Sequence, residues 1–164
     1  MTNTDLKELF FEHKVIEKVT DEPNFPKLHN LLRLLKANAC TVPCTLGGGA
    51  HGYVRILVSV VSYASLAPVT PFVIPVNPGA LPIVPGQTQF QIALAKSQHD
   101  KNLRLYNEYT LMQRALIQQV VSVIDEKYIS ALRNRVTVQL SNDVRAIFLY
   151  LFRIYVQQVG GVKL

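Results

Sequence analysis

Hydrophobic residues recur at the spacing of an α-helix in three parts of this chain. The first run begins at Leu28 and repeats at i+3, i+4 and i+7, which predicts an amphipathic helix ending near Asn38. The other two stripes are Leu111, Ala115, Leu116, Val120, Val121 and Ile124, and then Val144, Ile147, Phe148, Leu151 and Tyr155. Because strands and helices do not alternate along the sequence, the pattern predicts a mostly α fold.

Polar residues and glycines indicate where the C-terminal helices begin and end. The acidic pair at 125–126 stands at the start of a short helix, where negative charge suits the helix dipole. Ser141 or Asn142 is placed to cap the last helix. The glycine pair at 160–161 is expected to end it.

A proline repeat follows the uncharged middle of the chain. The pattern P-x-x-P occurs three times at seven-residue intervals, at 68–71, 75–78 and 82–85. This spacing suits polyproline II, the conformation that SH3 and WW domains read. Those ligands usually carry a nearby Arg or Lys, and none lies between Arg55 and Lys96. The apolar residues between the prolines favour an extended, proline-rich connector laid over a core.

Two readings remain open for the residues before this repeat. The glycine run at 47–52 lacks the Lys-Ser/Thr of a phosphate-binding P-loop, so we expect a tight turn with positive φ angles. Residues 53–64 predict a largely buried helix, although Val and Ile make a strand at 54–61 an alternative.

The uncharged residues 56–74 are about long enough to span a bilayer. However, Pro68 and Pro71 interrupt them, and serines dilute their hydrophobicity. A buried helix ending near Leu66, followed by an extended segment, explains the same residues. We therefore expect no membrane association.

Composition indicates a protein that associates. Hydrophobic residues make up 49% and charged residues only 17%, so we expect some apolar surface to be covered by copies of the same chain. The net charge is −3 over residues 1–23, +5 over 24–96 and +4 over 97–164. We therefore divide the chain into an acidic N-terminal segment, 1–23, and a basic helical domain, 24–164. A basic body suits a polyanion such as RNA.

Residues for catalysis or metal binding are not arranged in any familiar motif. No Asp or Glu lies between Glu22 and Asp100, and the histidines are scattered. Cys40 and Cys44 have neither the spacing nor the further ligands of a zinc site. We expect no enzyme activity, cofactor, metal or small-molecule substrate. Two thiols without a disulfide framework indicate a reducing compartment, hence the cytoplasm.

The order of these segments resembles the Gag polyprotein of copia-type LTR retrotransposons. The likeness covers about Phe25 to Tyr155, and its motifs are LGGGAHGYVRILVS, then Tyr63, TPFVIPVNPG, ALIQQVVSVIDEKYISALRNR and a final Ile–Leu–Phe–Tyr helix. The resemblance implies a compact helical capsid-like domain that self-associates into a particle enclosing RNA, bound without sequence specificity. It also implies that residues 24–164 are the N-terminal half of a longer Gag.

We expect RNA contact at Lys127, Arg133 and Arg135, the densest basic group outside the acid-free segment. Arginine offers a bidentate fork for phosphate. An equal alternative is that Arg133 and Arg135 only complement a helix dipole. The competing function is a monomeric interaction module that presents the P-x-x-P array to an aromatic groove.

Overall fold

Helices supply the regular structure of residues 2–156, the part of the chain that this computed structural model describes. They are α1 (Asn3–Phe10), α2 (Phe25–Thr41), α3 (Val60–Leu66), α4 (Gln89–Val123), α5 (Glu126–Ile129) and α6 (Val144–Tyr155). Single 3₁₀ turns cover Leu46–Gly49, Val54–Ile56 and Ser130–Leu132. No strand occurs within residues 2–156, so the predicted mostly α fold is confirmed. The glycine pair at 160–161 lies outside the described residues.

Side-chain caps set where the helices begin. The Asn24 side chain accepts a hydrogen bond from an amide of the first turn of α2, and Thr88 forms a capping box at the start of α4. The expectation that Ser141 or Asn142 caps the last helix is wrong. Asp143 is the cap, because its carboxylate accepts hydrogen bonds from two amides of the first turn of α6.

The prediction of a largely buried helix over 53–64 is wrong in its first half, and in its second half a helix forms but only Tyr63 of it is buried, because the other side chains of α3 face solvent. A 3₁₀ turn covers Val54–Ile56, and α3 starts only at Val60. The Ser59 side chain accepts a hydrogen bond from an amide in the first turn and fixes that start. The helix ends at Leu66, as predicted, and the alternative strand at 54–61 is not formed.

The core lies where α2, α4 and α6 pack against one another, with α1 against α4. The predicted stripes supply it, and the largest fully buried side chains are Phe148, Leu28, Leu31, Leu35, Met112, Leu116, Ile124, Ile129, Ile147, Leu151, Val120 and Val123. The prediction that Val121 belongs to the buried stripe is wrong, because this side chain faces solvent. A helix buries only the positions on one face, and Val121 falls outside it.

Buried amides hold the N-terminal segment on this core. The Asn38 side chain accepts a hydrogen bond from the His13 amide at 2.7 Å and donates one to the His13 carbonyl at 3.0 Å. It also donates to the Gln119 side chain, which in turn donates to the same carbonyl. The Val19 amide donates to the Val123 carbonyl at 2.9 Å. The segment after α1 is not helical, so these bonds supply hydrogen-bond partners that its backbone groups would otherwise lack.

Candidate interaction surface

The first part of α4 extends beyond the core. Within residues 89–102 only Ala95 and His99 are partly buried, and the first fully buried side chain of α4 is Met112. The helix continues without interruption for 35 residues, which corresponds to about 52 Å. About the first 21 Å of it therefore carries little tertiary packing.

The prolines before α4 run back along the same helix in the opposite direction. The Phe72 and Tyr109 ring centroids lie 6.3 Å apart. Further along the segment, His99 Nε2 forms a hydrogen bond of 2.7 Å with the Gly79 carbonyl. We call residues 73–102 the arm, since they combine this segment with the exposed start of α4. We call residues 2–72 and 103–156 the body.

An aromatic cluster in the body holds Phe72, the residue directly before the arm. The Phe72 ring packs edge-on against Tyr63 at 5.7 Å and against Tyr53 at 6.4 Å. Burial raises the pKa of the Tyr53 hydroxyl far above its ordinary value, so this ring stays neutral. Gly47 has a φ of +60°, and a Cβ there would lie 2.1 Å from the Tyr63 hydroxyl. The glycine run is therefore a tight turn under the cluster, as predicted.

The arm exposes large hydrophobic side chains. Nine of the 21 such residues in the described chain belong to it: Val73, Ile74, Val76, Leu81, Ile83, Val84, Phe90, Ile92 and Leu94. Ile83 is 95% exposed and Phe90 is 76% exposed. No charged residue occurs between Arg55 and Lys96, so no charge interrupts this apolar surface in the first part of the arm.

The helical half of the arm has two different faces. Ala95 and His99 lie on the face towards the proline segment, which explains their partial burial. Phe90, Leu94 and Lys101 fall on the opposite side, because 3.6 residues per turn bring positions i, i+4 and i+11 into one stripe. This second face presents two apolar side chains and a cation to solvent.

The same stripe of α4 continues into the body, where it borders a groove. The groove has a volume of about 260 Å³ and lies between α1, the loop after α2 and α4. Its walls are Leu6, Phe10, Val42, Pro43, Tyr53, Leu111 and Met112, with the exposed carboxylate of Glu108 among them. Apart from Glu108 and the Tyr53 hydroxyl, the lining side chains are apolar. We call it the α1–α4 groove.

The three basic residues expected to contact RNA lie around α5 and the loop after it. Arg133 donates hydrogen bonds from its guanidinium Nε and Nη2 to the two carboxylate oxygens of Glu126. Its Nη1 donates to the Val138 carbonyl at 3.0 Å. Hydrogen bonding in this pair lowers the pKa of the Glu126 carboxyl and raises that of Arg133. Lys127 and Arg135 are exposed, with the Lys127 ammonium 5.1 Å from the Tyr128 ring centroid.

Sequence reasoning missed the role of Glu126 and the exposure of Phe90. Glu126 appears in sequence as a helix-start acid, and its partner stands seven residues later, beyond one helical turn. Phe90 reads as the first apolar position of a helix face. Residues 96–102, which follow Phe90 on the same helix, are all polar, so no apolar stripe continues there. This break in the stripe is the signal that Phe90 is exposed.

Potential metal ligands do not converge in the described chain: residues 2–156 contain no group of three or more His, Cys, Asp or Glu side chains close enough to hold an ion. Cys40 is exposed and Cys44 is half-buried, and burial raises the pKa of both thiols. Neither thiol is thus activated as a nucleophile.

Among residues 2–156, no helix combines the length and the hydrophobicity that crossing a membrane requires. Comparison of the chain with protein-family models, with curated proteins and with solved structures finds no match. The resemblance to Gag therefore stays a prediction that rests on the sequence motifs.

Proposed function

We propose that this chain is a Gag-like structural protein that self-associates into a capsid-like particle, with the arm as a subunit interface. The observation that carries the proposal is the arm with its nine exposed hydrophobic residues, all within its uncharged part, residues 73–95. The largest apolar patch on a typical monomer is about 300–600 Å². Exposed apolar patches larger than this mark interaction sites, and a stable interface takes about 800 Å² from each partner.

The contacts of the prolines support a structural connector more than a signalling ligand. Phe72 is buried, and Pro75 and Pro78 are partly buried. Pro75 lines a groove with Tyr106 and Tyr109 of α4. An aromatic-groove domain needs the proline edge of its ligand exposed, so the central repeat is poorly placed for it. The outer repeats, 68–71 and 82–85, are exposed. Because an aromatic groove could bind them there, the monomeric interaction module is the competing function.

RNA binding is the second part of the proposal, and its best candidates are Lys127 and Arg135. Both side chains are exposed, whereas the Arg133 guanidinium already bonds a carboxylate and a carbonyl. The basic net charge over 24–164 supports a non-specific electrostatic contact. Arg133 then acts by shaping the loop that displays Arg135.

Sedimentation velocity over a concentration series tests self-association. We expect oligomers of the wild-type chain that dissociate on dilution, and a monomer when Ile83 and Phe90 are both changed to Asp. Val15→Asp is the matched control, because Val15 is 86% exposed outside the arm. Circular dichroism checks that each variant is folded. A wild-type chain that stays monomeric up to high micromolar concentration contradicts the proposal.

The salt dependence of RNA binding tests the second part. For single-stranded RNA, each neutralised phosphate contributes about −0.7 to the slope of log K against log salt concentration. The double variant Lys127→Ala, Arg135→Ala should therefore flatten the slope by about 1.4. Replacing Lys36, which lies on α2, by Ala serves as the control for loss of a positive charge elsewhere. An unchanged slope in the double variant removes these residues from the RNA site.

A further inference from the structure

The geometry points to a specific contact between copies of this chain: the tip of the arm, Phe90 and Leu94, seats in the α1–α4 groove of a second molecule. The inference rests on the proposed function, because it identifies the surface that receives the arm. It is carried by three independent features of α4 and its neighbours.

The first feature is size and chemistry. A cavity of about 150 Å³ lined by Leu, Ile and Phe holds a benzene ring, and the α1–α4 groove measures about 260 Å³. It therefore has room for the Phe90 ring and part of Leu94. Both surfaces are apolar. The arm tip is exposed, and the groove opens to solvent beside Phe10, Pro43 and Leu111, above a buried floor of Leu6, Val42, Tyr53 and Met112.

The second feature is charge. The groove carries the Glu108 carboxylate, which lies 4.0 Å from the Arg104 guanidinium of the same chain, and α1 beside it belongs to a segment of net charge −3. The start of α4, residues 89–102, has a net charge of +1 from Lys96 and Lys101 against Asp100, and Lys101 lies on the same stripe as Phe90, about 16 Å along the axis. An apolar tip on a basic helix complements an apolar groove beside an acidic segment.

The third feature excludes the molecule's own arm as the occupant. Phe90 and Glu108 lie on one continuous helix, and 18 residues of α-helix separate them by about 27 Å. An unbroken helix does not fold back on itself, so the tip never reaches the groove of its own chain. A second copy brings an arm of the same shape and charge to that groove.

Mixing two defective variants tests the contact. Phe90→Lys spoils the arm but leaves the groove intact, and Leu111→Lys spoils the groove but leaves the arm intact. We expect each variant alone to associate at least tenfold more weakly than the wild type. An equimolar mixture should form heterodimers, because one intact arm still meets one intact groove. Sedimentation velocity with one variant fluorescently labelled measures them.

Two controls keep the result specific. A mixture of Phe90→Lys with Leu94→Lys, both in the arm, should show no recovery, since no intact arm is present. If Leu111→Lys unfolds, as judged by circular dichroism, Glu108→Lys takes its place, because Glu108 is exposed and its change spares the core.

The outcomes separate this inference from the proposed function. Wild-type association without recovery in the mixture overturns the arm–groove contact and leaves self-association standing. The same holds if the groove variants associate as tightly as the wild type. A wild-type chain that is monomeric overturns both. Recovery in the arm-plus-groove mixture alone supports the contact.

Discussion

The body and the arm both contain large hydrophobic residues, but the body buries them and the arm leaves them exposed. Phe148 on α6 is 1% exposed, while Phe90 on α4 is exposed over most of its surface. The helix α4 belongs to both regions: α1, α2 and α6 cover it in the body, and the proline segment lies along one side of it in the arm. Short isolated helices are marginal in water, so the arm depends on continuity with the body and on what packs against it.

The largest expected difference between the two regions is the effect of removing one phenylalanine ring. Phe148→Ala should lower the free energy of unfolding by about 3–5 kcal/mol, because it leaves a cavity in the core. Phe90→Ala should change the stability of the monomer by less than about 0.5 kcal/mol. Urea unfolding at low micromolar concentration measures both. Equal losses would mean that the arm belongs to the cooperative core.

Replacing one glycine with positive φ in each region tests how tightly its backbone is packed. At Gly52 in the body, a Cβ would lie 2.5 Å from the Ala39 carbonyl oxygen, so Gly52→Ala should destabilise the protein by about 3 kcal/mol through strain and overlap. At Gly79 in the arm, a Cβ meets nothing within 4 Å. Gly79→Ala should cost about 1–2 kcal/mol, from the left-handed backbone alone.

Thermal unfolding and amide hydrogen exchange separate these two glycine effects. The first change should lower the melting temperature of the whole domain. The second should accelerate exchange only in the arm, because local strain there is relieved by local opening. A large drop in melting temperature for Gly79→Ala would show that the proline segment is part of the folding unit of the body.

The buried amide cluster provides an intermediate effect. Asn38→Ala removes both hydrogen bonds to the backbone of His13 and leaves buried polar groups unpaired, so we expect a loss of about 2 kcal/mol. Gln119→Ala should cost less, since it removes one bond to that backbone. A double-mutant cycle measures their coupling through the bond that joins the two amides. Additive effects would contradict a shared cluster.

The sequence predicted well those parts of the fold that depend on the spacing of hydrophobic residues within one helix. The stripes that begin at Leu28, Leu111 and Val144 report one buried face each, and a single helix is enough to produce that spacing. The start of α6 was one or two residues off, because Ser141, Asn142 and Asp143 are all good caps.

Long-range contacts account for what sequence did not predict. Phe72 meets Tyr109, and Gly79 meets His99, at separations that no local periodicity encodes. The basic cluster was predicted from density alone, and density does not show that Arg133 bonds Glu126. The candidate surface was likewise hidden, since Phe90 and Phe148 look alike in a hydrophobicity pattern and differ only in tertiary coverage.

The smallest predicted effect concerns the contact that holds the two halves of the arm together. His99→Ala removes the hydrogen bond to the Gly79 carbonyl. One such bond contributes about 1 kcal/mol, so exchange of the helical amides in residues 89–102, which the proline segment covers on one side, should accelerate up to roughly fivefold, with the melting temperature of the body unchanged. Gln98→Ala, one position away and bonded within α4, is the control and should leave that exchange unchanged. If both variants behave like the wild type, the contacts of Phe72 and Pro75 with Tyr109 hold the proline segment on α4, and the His99 hydrogen bond does not contribute.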